Sequence, residues 1–347
     1  MTGTRRRQSW LLALSDPTGP RPNLPKRRLS ASDLEELCSL ADRHGVLPAF
    51  IVNVKATANR EGPERLLQPA EQSSSVGEVL QSALHGVEQR LLHRAALSML
   101  LRRQAEELVS GFRQAQVPAA VIKGFVVADR LYPCPAFRPF TDLDLLVPPQ
   151  AVGDAGVVME KLGYRLHEVL MKRAEGNAEV TYRRESPGGA VEVHWDLVNS
   201  PPLRQAVSVG YDDLQWTAGP PEQPRDLTPA SLLLIAAVHG AASHGFDRLQ
   251  ILYDVAQAVR GAAADLDEDY LTATARRTGA GFALVTALRL TETVLGDAEC
   301  GRLLNRLPIR APRWLGPLLI TRGVVLRAHA RNDSFRRQAL RELLKRL

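Results

Sequence analysis

Three features of this 347-residue sequence predict an α+β protein, a small mixed sheet flanked by N-terminal helices and followed by an all-helical C-terminal region. Apolar residues recur at the helical period up to about Gln114 and again after Pro229. Between them the period shortens to two, in brief segments bounded by Pro and Gly. The breaker-rich stretch "AGPPEQPRDLTP" then marks the return to helices. The expected division is 1–75 for a helical region with a basic, partly flexible start, 76–218 for the α/β core with its leading long helix, and 219–347 for a helical domain.

The elements follow in chain order. "RRRQSWLLALSDP" imitates a secretory leader, but its apolar run from Trp10 to Leu14 is short and Asp16-Pro17 ends it. Ser30 to His44 reads as an amphipathic helix, capped by Ser30 or Ser32, with Leu34, Leu37, Cys38 and Leu40–Ala41 on its apolar face. From about Asn53 to Ser75 the pattern dissolves into a loop or weakly ordered link. A long helical pattern runs from Val76 to about Gln114, with one or two breaks expected. "VPAAVIKG" then gives a short buried strand, Ala119 to Ile122, and "FVVADRLY" a helix that Pro133 stops. "DLDLLV" is a second strand, and "AVGDAGVVMEKLGY" a helix ending at Gly163. "EVTYRRE" and "AVEVHWDLV", joined by a turn at Pro187-Gly188-Gly189, read as a hairpin. Helices are expected at Ala230–His239, Leu249–Arg260, Asp269–Thr278 and Gly281–Leu295, with two more near the end. Asp333-Ser334 would cap the last, whose stripe is Phe335, Ala339, Leu343 and Leu347.

Composition narrows the function. No stretch reaches the roughly 18 apolar residues of a membrane span. Cys38, Cys134 and Cys300 are scattered and lack a CxxC, so neither a disulfide framework nor a zinc site is expected. A cytoplasmic protein without a membrane partner follows. Aromatics at 5% give little stacking surface for single-stranded nucleic acid. The net charge of +6 sits at the ends: residues from Gly301 onward carry twelve basic and two acidic side chains, while the middle is acidic. Those basic ends read as solvated helix faces, or as a patch for an acidic partner. No GxSxG, P-loop or GxGxxG motif is present.

The chemistry concentrates in "RPFTDLDLLVPP". Asp142 and Asp144 stand at i and i+2 of a strand, on one face and roughly 7 Å apart. Like charges that close repel unless a cation lies between them, and carboxylate oxygens suit Mg²⁺. In "VEVHWDL" the same period puts Glu192, His194 and Asp196 on one face, so Glu192 completes a three-carboxylate cradle if this strand lies beside the first. Lys123-Gly124, between strand and helix, suits a phosphate, and Arg138 stands ready to meet a triphosphate or the carboxylates. His239 and His244 are five apart, about 140° around an α-helix, and so not a metalloprotease-type pair. They either mark a helix turning at Gly245 or line an acceptor pocket. Asp254 either pairs with Arg248 or a helix end, or faces that pocket.

"VIKGFVVADRLYPCPAFRPFTDLDLLV" followed by "VEVHWDL" closely resembles the bacterial uncharacterised nucleotidyltransferase family of the polymerase β-like nucleotidyltransferase superfamily. Lys123, Gly124, Ala128, Tyr132, Pro133, Pro135, Arg138, Asp142 and Asp144 carry the likeness. "HGAASHGFDRLQILYDVAQAV" extends it through His239, His244, Arg248, Leu249 and Asp254. The resemblance spans roughly Leu34 to Val259. In the wider superfamily a Gly-Ser pair precedes the aspartates and the third carboxylate is commonly Asp; here Lys-Gly and Glu192 stand there. The resemblance implies transfer of an NMP from an NTP, ATP first among them, to an acceptor with release of pyrophosphate. Asp142, Asp144 and Glu192 would be catalytic and hold Mg²⁺ (or Mn²⁺). Lys123, Gly124, Arg138 and His194 would bind the nucleotide, and His239, His244 and Asp254 would border an acceptor that the resemblance does not name; the few aromatics and the acidic middle point to a small molecule or peptide rather than nucleic acid. The alternatives are a catalytically silent or partner-dependent nucleotide- or peptide-binding accessory protein of a biosynthetic cluster, and an RNA/tRNA-modifying or toxin-like transferase.

Overall fold

The structure is a computed structural model that describes residues 3–68, 75–167, 176–185, 189–218, 226–261, 266–327 and 334–347. The expected turn at Pro187-Gly188, the Asp333 cap and most of the "EQSSS" and "AGPPEQP" stretches lie outside these residues. The chain is mixed, with many helices around one five-stranded sheet, as the α+β reading requires.

Four helices precede the sheet: α1 (Gly3–Leu14), α2 (Ala31–Arg43), α3 (Leu47–Glu61) and α4 (Val76–Gln114). The apolar run that imitates a leader is core, with Trp10, Leu11, Leu12 and Leu14 inaccessible. α2 starts at a capping box: the Ser30 hydroxyl accepts from the Asp33 amide while the Asp33 carboxylate accepts from the Ser30 amide. α3 occupies the beginning of what reads in sequence as a loop. The misleading residue is Asn53, polar yet buried, whose amide donates to the carbonyls of Leu14 at 2.9 Å and Asp16 at 2.8 Å. Its side chain staples α3 to the end of α1, so the helical face continues through it. α4 is one unbroken helix of 39 residues, about 58 Å long. Its pattern looks interrupted because it serves two cores: Leu80, Leu84 and Val87 pack in one, and Leu101, Ala105, Leu108 and Phe112 in the other. Between them α4 buries nothing.

The sheet comprises β1 (Ala120–Val121), β2 (Leu143–Leu146), β3 (Arg165–Leu166), β4 (Glu179–Arg183) and β5 (Val191–His194), in the order β1-β2-β5-β4-β3. β2 and β5 are parallel neighbours, and the other pairings are antiparallel. Alternation then sorts the side chains. Leu143, Leu145, Val191 and Val193 enter the second core against α4 and α6 (Val152–Lys161), while Asp144, Glu192 and His194 take the opposite face. Gln104 of α4 holds the entry to β5 by accepting from the Gly189 amide and donating to its carbonyl, as a strand neighbour would.

The first core joins the two ends of the chain, running from Trp10 through the helices Pro229–His239, Leu249–Gly261 and Gly281–Leu290 to Leu344. His44, fully buried, fastens the seam: its Nδ1 accepts from the Leu249 amide, and its carbonyl from the Gln250 amide. The last helix, Phe335–Leu344, packs differently from its sequence pattern. Phe335 and Leu347 are 81% and 53% exposed, while Arg337, Leu340 and Leu344 are buried. Arg337 was expected in water; instead its guanidinium donates to the carbonyls of Gly245 at 3.1 Å and Val324 at 3.3 Å. Gly245 has φ +54°, and a side chain there would press on the Arg337 stem, so backbone and arginine require each other.

Replacing Arg337 with Ala strips donors from buried carbonyls and is expected to cost about 3 kcal/mol in denaturant unfolding, while Phe335→Ala stays within about 0.5 kcal/mol. The reverse order would restore the Phe335 stripe. Acid also tests the seam. Burial lowers His44 to about 4, so the unfolded chain takes up a proton near pH 6.5 that the folded chain refuses until pH 4. Stability should therefore decline as pH falls from about 6.5 to 4, by up to about 3 kcal/mol, and His44→Gln should flatten that segment of the pH profile.

Candidate active site

Lys123, Gly124, Arg138, Asp142, Asp144, Glu192, His194, His239, His244 and Asp254 all line one cavity of about 830 Å³. Its floor is the polar face of β2 and β5. Parallel register sets Asp144 directly against Glu192, and His194 one step further along β5. Carboxylate oxygens of Asp144 and Glu192 and a ring nitrogen of His194 lie within 4.8 Å of one another. Asp142 is exposed at the mouth, one residue before β2, and stands outside that group. β5 ends at His194, and Asp196 leaves the site face to accept from the amides of Val198 and Val209.

Charge is tightly balanced here. Asp144 is almost wholly buried, which would favour its neutral form. The Lys123 ammonium 2.6 Å away and the His194 ring at 3.1 Å overcome this and hold its carboxyl far below the carboxylate range. Burial likewise opposes charge on His194, yet hydrogen bonds to Asp144 and Glu192 raise it to about 9. Asp142 is pushed upward, by partial loss of water and then by the charge of Asp144. Gly124, at φ +63°, turns the chain from β1 into α5 (Phe125–Leu131); a Cβ there would come within 3.3 Å of the Phe140 ring.

Asp254 lines the cavity, one of the two places expected for it, but its partner is one that the sequence did not reveal. Asp254 pairs with neither Arg248 nor a helix end: Arg138 grips it in a buried bidentate contact, Nε and one terminal nitrogen each at 2.8 Å, and the Tyr132 hydroxyl donates to it at 2.7 Å. The remaining Arg138 nitrogen reaches the Gly124 carbonyl at 3.3 Å. Arg138 is thus committed to protein groups rather than turned toward a triphosphate, while Arg248 pairs with Asp247. A buried guanidinium needs a buried carboxylate, and Asp254 is the one within reach.

The two histidines meet because the helix changes pitch. Gly240–His244 is a π-turn, in which residues five apart lie side by side, so the His239 and His244 rings touch edge to face with centroids 4.6 Å apart. The angle of 140° expected from α-helical pitch does not apply. Burial, then the Lys123 charge, keeps His239 well below the usual imidazole range, and its Nδ1 lies 3.4 Å from the Lys123 ammonium. Arg341 of the last helix donates to the carbonyls of Ala242 and Ser243, both at 2.8 Å, bracing the same turn.

Glu179 is the residue that sequence reasoning missed. It faces His194 across the antiparallel β4–β5 pair, its carboxylate 3.4 Å from the ring, and burial raises its pKa. Only the β4–β5 register would have revealed it, and strand periodicity alone does not fix a register.

Removing Arg138 leaves Asp254 buried without a cation, so Arg138→Ala should cost about 3–5 kcal/mol of stability. Arg138→Lys should recover only part, because an ammonium lacks the planar fork. An alanine variant that unfolds at the wild-type denaturant concentration would contradict the pairing.

No curated protein and no solved structure matches the chain. A family model does: residues 30–296, which hold the whole cavity floor, Arg138–Asp254 and the histidine turn, match the one described as uncharacterised nucleotidyltransferase. The chain therefore belongs to the uncharacterised nucleotidyltransferase family.

Proposed function

We propose that this protein moves a nucleoside monophosphate from an NTP, ATP first among them, to a small-molecule or peptide acceptor and releases pyrophosphate, with Mg²⁺ or Mn²⁺ in the cleft and on a polymerase β-like core. The observation that carries the reading is the parallel register of Asp144 and Glu192 on the cavity floor, with Lys123 against the same carboxylate. The donor set suits a divalent ion: two carboxylates and an imidazole converge, and one ammonium is already stabilised there. Asp144 and Glu192 would hold the ion, with Asp142 joining from the mouth. Such an ion withdraws charge from phosphate oxygens and lowers the pKa of an acceptor hydroxyl.

The chain's own groups do the rest. Lys123, on a flexible stem, releases Asp144 and turns its charge to the phosphates, where Gly124 permits close approach of the backbone. Arg138 acts indirectly, fixing the Gly124 carbonyl and hence the loop. Neutral His239, packed against His244, borders the side where an acceptor would sit. The volume accommodates an NTP with space beside it, within the usual range of ligand cavities.

Calorimetric titration of Mg·ATP into wild type and Asp144→Asn tests the assignment, with melting temperatures measured alongside. Affinity should fall at least about tenfold in the variant, the lower end of what losing even an outer partner of a metal site costs. Equal affinities, or labelled pyrophosphate released equally fast by both proteins, would overturn it.

A further inference from the structure

Glu179 occupies a position that the proposed reaction leaves without a task. Its register partner on β5 is His194. The imidazole is buried, with side-chain exposure of 8%, and is suspended between three carboxylates. Nδ1 faces the Glu179 carboxylate at 3.4 Å. Nε2 faces inward, 3.1 Å from Asp144 Oδ1 and 3.5 Å from Glu192 Oε2. One ring nitrogen thus meets an outer acid, and the other points into the floor of the cleft. Asp144, on β2, and Glu192, on β5, converge on that inner nitrogen, and Lys123 lies against the same Asp144 oxygen.

We propose that His194 is a metal ligand through Nε2, that Glu179 is the positioning residue holding its ring through Nδ1, and that the site so built takes a first-row transition ion such as Mn²⁺ in preference to Mg²⁺. The proposal rests on the metal-dependent reading above and deepens it, making the converging imidazole a ligand beside the two carboxylates and assigning it an outer partner. The geometry is that of a carboxylate–histidine–metal relay. An ion binding here displaces the Nε2 proton to solvent; with a hydrogen kept on Nδ1, on the side of the outer acid, the Nε2 lone pair then faces the inner ones, and the outer partner fixes the plane of the ring. Magnesium prefers an all-oxygen octahedron and keeps its waters, whereas transition ions accept imidazole nitrogen readily. Asp142 can still approach from the mouth, so the nitrogen adds to the oxygen donors rather than replacing them.

Mn²⁺ itself serves as the probe on the full chain, without nucleotide and then with a non-hydrolysable ATP analogue. Electron paramagnetic resonance of free Mn²⁺ gives affinity, competition with Mg²⁺ gives preference, and pulsed measurement detects ¹⁴N coupled to the bound ion. Mn²⁺ should be preferred at least about tenfold, with ¹⁴N modulation that disappears in His194→Gln. Glu179→Gln should keep the modulation while Mn²⁺ affinity falls about 10–100-fold. Bound Mn²⁺ without ¹⁴N modulation, or modulation unchanged in His194→Gln, overturns the ligand assignment. If pyrophosphate release persists in that case, the transferase reading stands. Unchanged Mn²⁺ affinity in Glu179→Gln, a half-buried site independent of how His194→Gln folds, removes the positioning role. Failure to bind Mn²⁺ with or without the analogue overturns both this inference and the reading beneath it.

Discussion

The buried contact between Arg138 and Asp254 is the constraint on which the site depends. It ties the loop entering β2 to the helix Leu249–Gly261, two segments far apart in sequence, and reaches Gly124 through its third nitrogen. Taking both charges out of water is costly, and the two parallel hydrogen bonds, with the Tyr132 hydroxyl, offset that cost only in one geometry. The pair therefore adds little net stability but discriminates strongly between arrangements. Lys123, Gly124 and the aspartates stay in register with the histidine turn because no displaced arrangement satisfies both buried charges.

Within that frame the cleft gathers like charges and compensates them locally. On its floor Asp142, Asp144, Glu179 and Glu192 face Lys123 and His194, a local excess of negative charge that a divalent ion would neutralise, while arginines of the wall balance it over the cavity as a whole. The balance also explains why two neighbouring aspartates behave oppositely. Asp144 lies against both cations and stays ionised despite burial, whereas Asp142 has neither in contact and is pushed toward its neutral form. Lys123 links this acidic floor to neutral His239 above it, so any group that draws the ammonium away disturbs both.

Much of the arrangement was legible in the sequence because it follows strand periodicity. Asp144, Glu192 and His194 share a face since every second residue does, and Leu143, Leu145, Val191 and Val193 mark the opposite one. Of the residues carrying the family resemblance, Lys123, Gly124, Arg138, Asp142, Asp144, His239, His244, Arg248 and Asp254 line the cavity together, because short elements with Gly and Pro between them allow few arrangements. What escaped depended on tertiary partners. Asn53 looked like a loop residue because polarity was visible and its carbonyl partners were not. Arg337 looked solvated because its counterparts are backbone oxygens, which no composition reveals. The π-turn added one residue to a helical repeat and moved His244 beside His239, against an angle computed from regular pitch. Glu179 required the β4–β5 register, which alternation within each strand does not reveal.

The cavity wall includes Asp42 and Arg43 at the end of α2 and Arg341 in the last helix. A chain emerging from the ribosome exposes the aspartates and their strands long before Arg341 has been synthesised. Throughout that interval the carbonyls of Ala242 and Ser243 lack the arginine that braces them, and the histidine turn is open on one side. Contacts so distant in sequence also close slowly, since the entropy of the intervening loop must be overcome before they contribute. The pocket is thus completed only after Arg341 has been synthesised, and a nascent chain that has reached only β5 carries its acidic strands without a finished chamber around them.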